Sequence, residues 1–533
     1  MSAALMAAGL GLIPGMASAT TTAPPAAASV LAVEKTYDSP AERSVRTAPP
    51  AGAVTYGNEN LAVGIGVSYR SALGIDLKTE ITSEDVALEV TVDWGDGTTE
   101  KFTAKGTGEQ SHPHTYTEVG SYVTKVTVTD SVNRAVNEVA HVTRGTEFTP
   151  YAPTRLLDTR NGTGTKAGKV AGRGTTRVKV TGTGSIPADG FVEAVALNVT
   201  VTNTVAPGHV TVWDGDTAAP ETSNLNYATG QSVSNTVIAR VGSDGYVELF
   251  NGGWSPADLV VDITGYFSHR PASGYTGLKP TRFVDTREGL GATKGQVAGR
   301  TSFGTRIGGL NGVPAGITAV ALNVTVTNPK DAGHLSVYPG GGKLPTASSL
   351  NFAAGETVAN SVIVPVGPDG TINVFNGGWA PADVVVDVVG YYSKDSKAAY
   401  VALGAHRFLD TRVPDSWYGG GKFPARGYIA QGFSVIDGPE GYEAYVLNTT
   451  VTDTTDTGFL SVAPSPFPWL INDQPGAPVP PRPVSSNLNW TAGRTVANMA
   501  QASDGEHGII HFWNQGWKDA DLIVDVFGVY QTN

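Results

Sequence analysis

Three landmarks, each written three times, constrain this 533-residue chain more than any other feature. The first is Arg155-Leu156-Leu157-Asp158-Thr159-Arg160, which returns as Arg282-Phe283-Val284-Asp285-Thr286-Arg287 and as Arg407-Phe408-Leu409-Asp410-Thr411-Arg412. The second is Leu197-Asn198-Val199-Thr200, Leu322-Asn323-Val324-Thr325 and Leu447-Asn448-Thr449-Thr450. The third is a turn, Asn251-Gly252-Gly253-Trp254, Asn376-Gly377-Gly378-Trp379 and Asn514-Gln515-Gly516-Trp517, each leading into an Asp, an aliphatic run and a second Asp. Asn198, Asn323 and Asn448 are spaced by 125 and 125 residues, whereas Trp254, Trp379 and Trp517 are spaced by 125 and 138. A solenoid or propeller unit is far shorter than this, so each copy is a domain with its own core. The extra length of the third copy falls in the Pro-rich stretch near 464–484, which reads as a surface loop insertion.

Within a copy the pattern is short, Val- and Thr-rich runs separated by turn signals such as Pro207-Gly208, Asp244-Gly245 and Asn251-Gly252-Gly253. The chain carries 66 Gly and 33 Pro, which suits strands joined by tight turns and not helices. The expected fold class is all-β, with three tandem modules of about eight antiparallel strands, each a β-sandwich or jelly roll. Linkers of roughly 15 residues join the copies, long enough for packing with pseudo-threefold symmetry or for a beads-on-a-string arrangement.

The stretch ahead of the repeats divides in three. Residues 1–19 read as a signal peptide, an apolar stretch closed by Ala17-Ser18-Ala19, with the basic n-region missing and the true start therefore upstream. Residues 20–51 are rich in Ala, Thr and Pro and read as a linker. Residues 52–145 alternate, as in Leu88-Glu89-Val90-Thr91-Val92, around Trp94-Gly95-Asp96-Gly97, followed by His114-Thr115-Tyr116 and Gly120-Ser121-Tyr122. This region resembles the PKD domain, an immunoglobulin-like β-sandwich of extracellular proteins, and the resemblance implies a spacer or adhesion role. Asp93, Asp96 and His114 are read as turn and core residues, not as a metal or acid–base cluster. The three modules, 146–270, 271–395 and 396–533, resemble a repeat of exported actinobacterial cell-surface proteins, which implies localisation and no catalysis.

Several functions are excluded by what is missing. With no cysteine there are no disulfides, thiolate metal sites or thiol catalysis. A net charge of −12 disfavours nucleic acid and anionic membranes as partners. No run is long enough to span a bilayer, and nothing near Tyr530-Gln531-Thr532-Asn533 reads as an anchor, so the expectation is release, or non-covalent retention at a cell wall. No nucleophile elbow, zinc-protease, Walker or dinucleotide motif occurs. His209 and His334 correspond, but the third copy has Phe459. The paired Asp258/Asp262, Asp383/Asp387 and Asp521/Asp525 lie about 13 Å apart along a strand, too far for glycoside hydrolysis. The chain is therefore expected to be no enzyme and to need no cofactor or metal.

Two sets of side chains remain as candidates. Arg155, Asp158 and Arg160, with Arg282, Asp285 and Arg287 and with Arg407, Asp410 and Arg412, are expected to form structural ion pairs tying the first strand to a neighbouring sheet or module; a clamp for a carboxylate or sugar acid is the alternative. The Asn-Gly-Gly-Trp turns offer Trp254, Trp379 and Trp517 for stacking on a sugar ring, with Asn251, Asn376 and Asn514 to bond its hydroxyls. The plainer expectation is that each Trp folds back to plug its sandwich, and exposure decides between the two. Asn198, Asn323 and Asn448 are expected to satisfy backbone groups at a sheet edge or corner, not to carry glycans. The functional expectation is a non-catalytic extracellular binding or adhesion protein, with polysaccharide, cell-wall glycan or other surface proteins as partners. A purely structural assembly component is the alternative, and a polysaccharide hydrolase or its accessory subunit comes third.

Overall fold

The computed structural model describes residues 36–47, 58–413, 420–433, 441–467, 478–504 and 508–532. The signal-peptide stretch, part of the linker and the middle of the Pro-rich insertion lie outside these. The remainder of the linker reading needs correction: Tyr37–Ser39 (β1) and Val45–Thr47 (β2) are strands that add an edge to each sheet of the N-terminal sandwich. The signal was Tyr37 and Val45, masked by the Ala/Pro-rich composition around them.

That sandwich pairs β1, β3 (Ala62–Tyr69), β4 (Gly74–Thr82) and β7 (Gly108–Thr115) in one sheet. The other runs β2, β9 (Arg134–Val142), β8 (Ser121–Thr129), β5 (Ala87–Asp93), β6 (Thr99–Lys105). Alternate residues point inward, as the two-residue strand period demands. Val63, Ile65, Leu77, Val90, Val92, Val126 and Val128 meet between the sheets. Trp94 and Tyr116 close the core, with the Tyr116 hydroxyl donating to the Trp94 carbonyl at 3.1 Å.

Module 1 contains β10 (Glu147–Asp158), β11 (Thr175–Lys179), β12 (Val192–Thr202), β13 (Gly208–Trp213), β14 (Leu225–Tyr227), β15 (Val233–Arg240), β16 (Tyr246–Asn251) and β17 (Asp258–Ser268). They form two four-stranded sheets, β10-β17-β12-β15 and β11-β16-β13-β14. That order is the jelly roll, in which first and last strands lie side by side. The same order recurs between Gly274 and Ser393 as β18–β25 and between Ala399 and Gln531 as β26–β33.

In the first sheet of each module the closing strand and its inner neighbour are buried on both faces, which explains their unbroken apolar runs. Every residue of β17 is buried. Along β12, Val195, Leu197, Val199 and Val201 face the module's own core. The alternate residues Ala194 and Ala196 join a second cluster that draws on all three modules: Phe148 and Phe267, then Tyr275 and Tyr392, then Tyr400 and Tyr530. These six rings interlock cyclically. Phe148 meets Tyr392 at 4.3 Å between centroids, Tyr275 meets Tyr530 at 4.1 Å, and Tyr400 meets Phe267 at 4.4 Å. The Gly of each closing strand permits this, because a Cβ on Gly265, Gly390 or Gly528 would run into the ring of Phe148, Tyr275 or Tyr400.

The recurring Asn face the same axis. Asn198 donates to Ser348 O of module 2 at 2.6 Å, Asn323 to Ser486 O of module 3, and Asn448 to Ser223 O of module 1 at 2.7 Å. Three head-to-tail bonds close a ring, as a rotation of three equal units requires. The modules therefore pack with pseudo-threefold symmetry and not as beads on a string. Asn198 satisfies a backbone group as expected, but from an interior strand between β15 and β17, not from an edge or corner. The connections are shorter than the roughly 15 residues expected: only 269–273 and 394–398 separate successive modules.

The N-terminal sandwich joins the platform at the aromatic end of the axis. Gly145 N bonds Ala72 O, and Thr146 and Tyr400 exchange two backbone bonds of 2.8 Å. The turns that enter β15 and β17 lie at the opposite, distal end.

Candidate functional site

The distal end carries the Trp turns. β16 stops at Asn251 because the next residues, Gly252 and Gly253, turn the chain back toward β17. Gly252 is required there, since a Cβ would lie 2.1 Å from the His209 ring. Where the third copy has Phe459 in place of that His, it has Gln515 in place of this Gly. Burial pushes the His209 and His334 imidazoles below their usual pKa, so they act as neutral packing groups.

Trp254, Trp379 and Trp517 do not fold back. They are 85%, 80% and 71% exposed, which overturns the plug arrangement. The Asn of each turn is the opposite case, fully buried and not open to a ligand. Asn251 donates to Val170 O, Ala171 O and Ser255 O and accepts from Gly253 N and the Tyr227 hydroxyl. Asn376 and Asn514 likewise donate to two carbonyls each and accept from Gly378 N and Gly516 N. With their amides spent internally, Asn251, Asn376 and Asn514 fix the turn and leave the Trp as its presented group.

Sequence reasoning missed the partner of each Trp. Arg173, Arg300 and Arg426 hold φ of 59°, 60° and 55°, a left-handed conformation that costs a non-glycine residue roughly 1–2 kcal/mol. Backbone bonds from the Arg173 N–H to Asn251 O and Gly253 O impose it, and the Arg300 and Arg426 N–H groups bond their own turns. The guanidinium then donates to the turn carbonyl of Gly252, Gly377 or Gln515 and lies 5.6, 5.2 or 4.8 Å from the indole centroid. Each distal tip is thus an arginine–tryptophan pair held by a rigid turn. The available signal was the recurrence of Ala171-Gly172-Arg173 as Ala298-Gly299-Arg300.

The Arg/Asp segments form ion pairs. Arg155 reaches Asp262 at 2.6 and 3.3 Å, and Asp158 at 2.9 Å, while Arg160 wraps back onto Asp158 at 2.9 and 2.7 Å. Arg282 and Arg287 repeat this on Asp387 and Asp285, and Arg407 and Arg412 on Asp525 and Asp410. Arg155 and Arg282 also donate to the next module, at Thr346 O and Val484 O. The Arg160 hydrogen bonds hold the Asp158 carboxyl below the usual range, whereas burial pushes Asp262 up despite Arg155. Asp258 is satisfied by Thr159 and Asn203. In the N-terminal sandwich His114 stacks on Trp94 and bonds Asp96 at 2.8 Å, while Asp93 and Asp96 accept from backbone N–H groups of their own turn.

Among the described residues no group of three or more His, Asp or Glu could hold a metal ion, and no helix is long and apolar enough to cross a membrane. An open depression of about 510 Å³ lies beside Trp254 at the seam of the modules, lined by Gln231, Glu356, Trp490 and Arg494 among others.

No family model matches this chain, and no curated protein matches it. Among solved structures it aligns with the atomic structure of Sulfolobus turreted icosahedral virus at 10% identity, covering 72% of this chain and 91% of that one, with a TM-score of 0.14. An overlay that loose carries no argument.

Proposed function

We propose that the protein is a non-catalytic, multivalent glycan-binding protein that works outside the cell, with the distal end of the three-module platform as its binding face. The observation that carries this is the exposure of Trp254, Trp379 and Trp517 at equivalent rigid turns on one end of the molecule. Isolated large aromatics held open in water mark contact surfaces, and an indole face suits the C–H face of a sugar ring. The Arg beside each indole lies 4.8–5.6 Å from its centroid and leaves most of the ring open. Three weak platforms on one rigid body gain avidity on a repeating polymer, on the order of 10²–10⁴ over a single site. The resemblances to PKD domains and to exported actinobacterial repeats, and the Ala17-Ser18-Ala19 signal pattern, support the extracellular assignment.

The test is retention on insoluble polysaccharides, scored by pull-down. Single Trp→Ala variants are expected to weaken retention, and the triple variant W254A/W379A/W517A to abolish it without lowering the melting temperature. Unchanged retention of the triple variant removes the stacking mechanism. A wild-type protein that no polysaccharide retains leaves the alternative, a structural platform, which the closed inter-module ring favours.

A further inference from the structure

We infer that the depression at the distal end of the pseudo-threefold axis is a single, asymmetric subsite for a carboxylated sugar residue. The inference rests on the glycan reading above and names the class of sugar. The floor is nearly symmetric: Val233, Val358 and Val496, the first residues of β15 (Val233–Arg240), β23 (Val358–Pro365) and β31 (Val496–Ser503), line it together. The rim is not symmetric. At one equivalent position the modules carry Gln231, Glu356 and Arg494.

In modules 1 and 2 that side chain has a structural task. Gln231 Oε1 accepts from Ala228 N at 2.9 Å, and Glu356 Oε2 accepts from Ala353 N at 3.0 Å, each closing the turn before its strand. Arginine has no acceptor and cannot make that bond. Module 3 therefore lacks that side-chain bond, its turn keeping only the backbone bond from Arg494 N to Thr491 O, and places a guanidinium at the mouth. Among the described residues the Arg494 side chain has no hydrogen bond or ion pair, and it is exposed. Its fork of donors matches a carboxylate in bidentate fashion.

The adjoining surface agrees. Trp254 lines the same depression, backed by Arg173. The loop 159–174, which leads to that arginine, carries Lys166, Lys169 and Arg173 besides Arg160, whose charge is paired with Asp158, and has no carboxylate of its own. A sugar ring stacked on Trp254 with its carboxylate toward Arg494 uses both features, and Glu356 repels that carboxylate from the other side of the rim. Among the described residues only this seam sets a Trp turn beside a rim arginine from the neighbouring module; by the pseudo-symmetry the others set Trp379 beside Gln231 and Trp517 beside Glu356.

The test compares polygalacturonate with its methyl ester, two polymers of one backbone that differ in charge, by affinity electrophoresis of the full chain. Wild type should prefer the acid, and the preference should fall as salt is raised. R494Q should lower affinity for the acid about tenfold, the loss expected of a charged hydrogen-bonded contact, and leave the ester unchanged. E356Q should raise affinity for the acid severalfold. An unchanged melting temperature for R494Q shows that the fold is intact. Equal binding of acid and ester by wild type, or an R494Q protein that keeps the preference, overturns the subsite. If neither polymer binds while an insoluble neutral polysaccharide is retained, the subsite is wrong and the glycan reading stands; if nothing is retained, both fall.

Discussion

Removing Arg155 tests whether the repeated Arg/Asp segment is structural. Its side chain is 19% exposed and makes four bonds: two to Asp262, one to Asp158 and one to Thr346 O across the module boundary. In R155A, Asp158 keeps Arg160, but Asp262, at 1% exposure, is left as a buried charge without its cation. Breaking a buried pair from one side costs about 3–5 kcal/mol. In D262A the arginine keeps Asp158 and reaches water, so the loss should be smaller, about 2 kcal/mol. The double variant R155A/D262A should cost less than the sum of the singles by about 2 kcal/mol or more. Acid should narrow the R155A deficit. Burial already raises the Asp262 carboxyl, and losing its cation raises it further; an acid whose folded pKa is raised stabilises the fold below its unfolded pKa and loses that contribution as pH climbs through the folded value. Arg407, 36% exposed and with no cross-module bond among the described residues, should cost less to remove than Arg155. Urea unfolding of the four proteins at pH 5 and pH 8 measures all of this. An R155A loss under about 1 kcal/mol, or an additive cycle, would refute the reasoning.

Two further predictions follow from buried groups. Burial pushes the His141 imidazole, bonded to Tyr116 and Thr124 inside the N-terminal sandwich, down to about 4, so it folds neutral. The unfolded chain binds that proton first, so stability is full above about pH 6.5 and falls as pH drops toward 4, by roughly 3 kcal/mol; a H141Q protein should show a flatter pH dependence of its melting temperature. A Cβ on Gly390 would lie 2.1 Å from the Tyr275 hydroxyl and 2.8 Å from Thr276 O, so G390A must displace a ring at the axis. It should lower stability by about 1–3 kcal/mol and disturb the near-ultraviolet circular dichroism of the aromatic cluster, whereas an alanine at the open Gly355 should leave that signal untouched.

Much of the architecture was legible because repetition acts as an internal comparison. The count of modules, their eight strands and the Arg155–Asp158–Arg160 pairing follow from features that all three copies share. Other features depend on register, which spacing alone does not reveal. Leu197 and Asn198 are neighbours in sequence, yet one faces a module's core and the other the common axis. The clue that β12 has two buried faces was the small side chain at alternate positions, Ala194 and Ala196. Asn251 illustrates the reverse error: a polar residue beside an exposed Trp invites a ligand role, but its amide is consumed by carbonyls brought in from residues 170 and 171, far away along the chain. Arg173 is marked in sequence by the recurrence of Ala171-Gly172-Arg173 as Ala298-Gly299-Arg300, but its left-handed backbone and its place beside the indole have no compositional signature.

The ring of bonds that runs from Asn198 to Ser348, Asn323 to Ser486 and Asn448 back to Ser223 is drawn within one polypeptide. A trimer of separate copies exists only above its dissociation constant and comes apart on dilution. Here the connections 269–273 and 394–398 hold the three partners at a fixed high effective concentration, so the assembly persists at any dilution. The tether also releases the modules from identity. In a homotrimer every substitution on the axis appears three times, whereas in this chain one position can change while its two counterparts keep the turn closed.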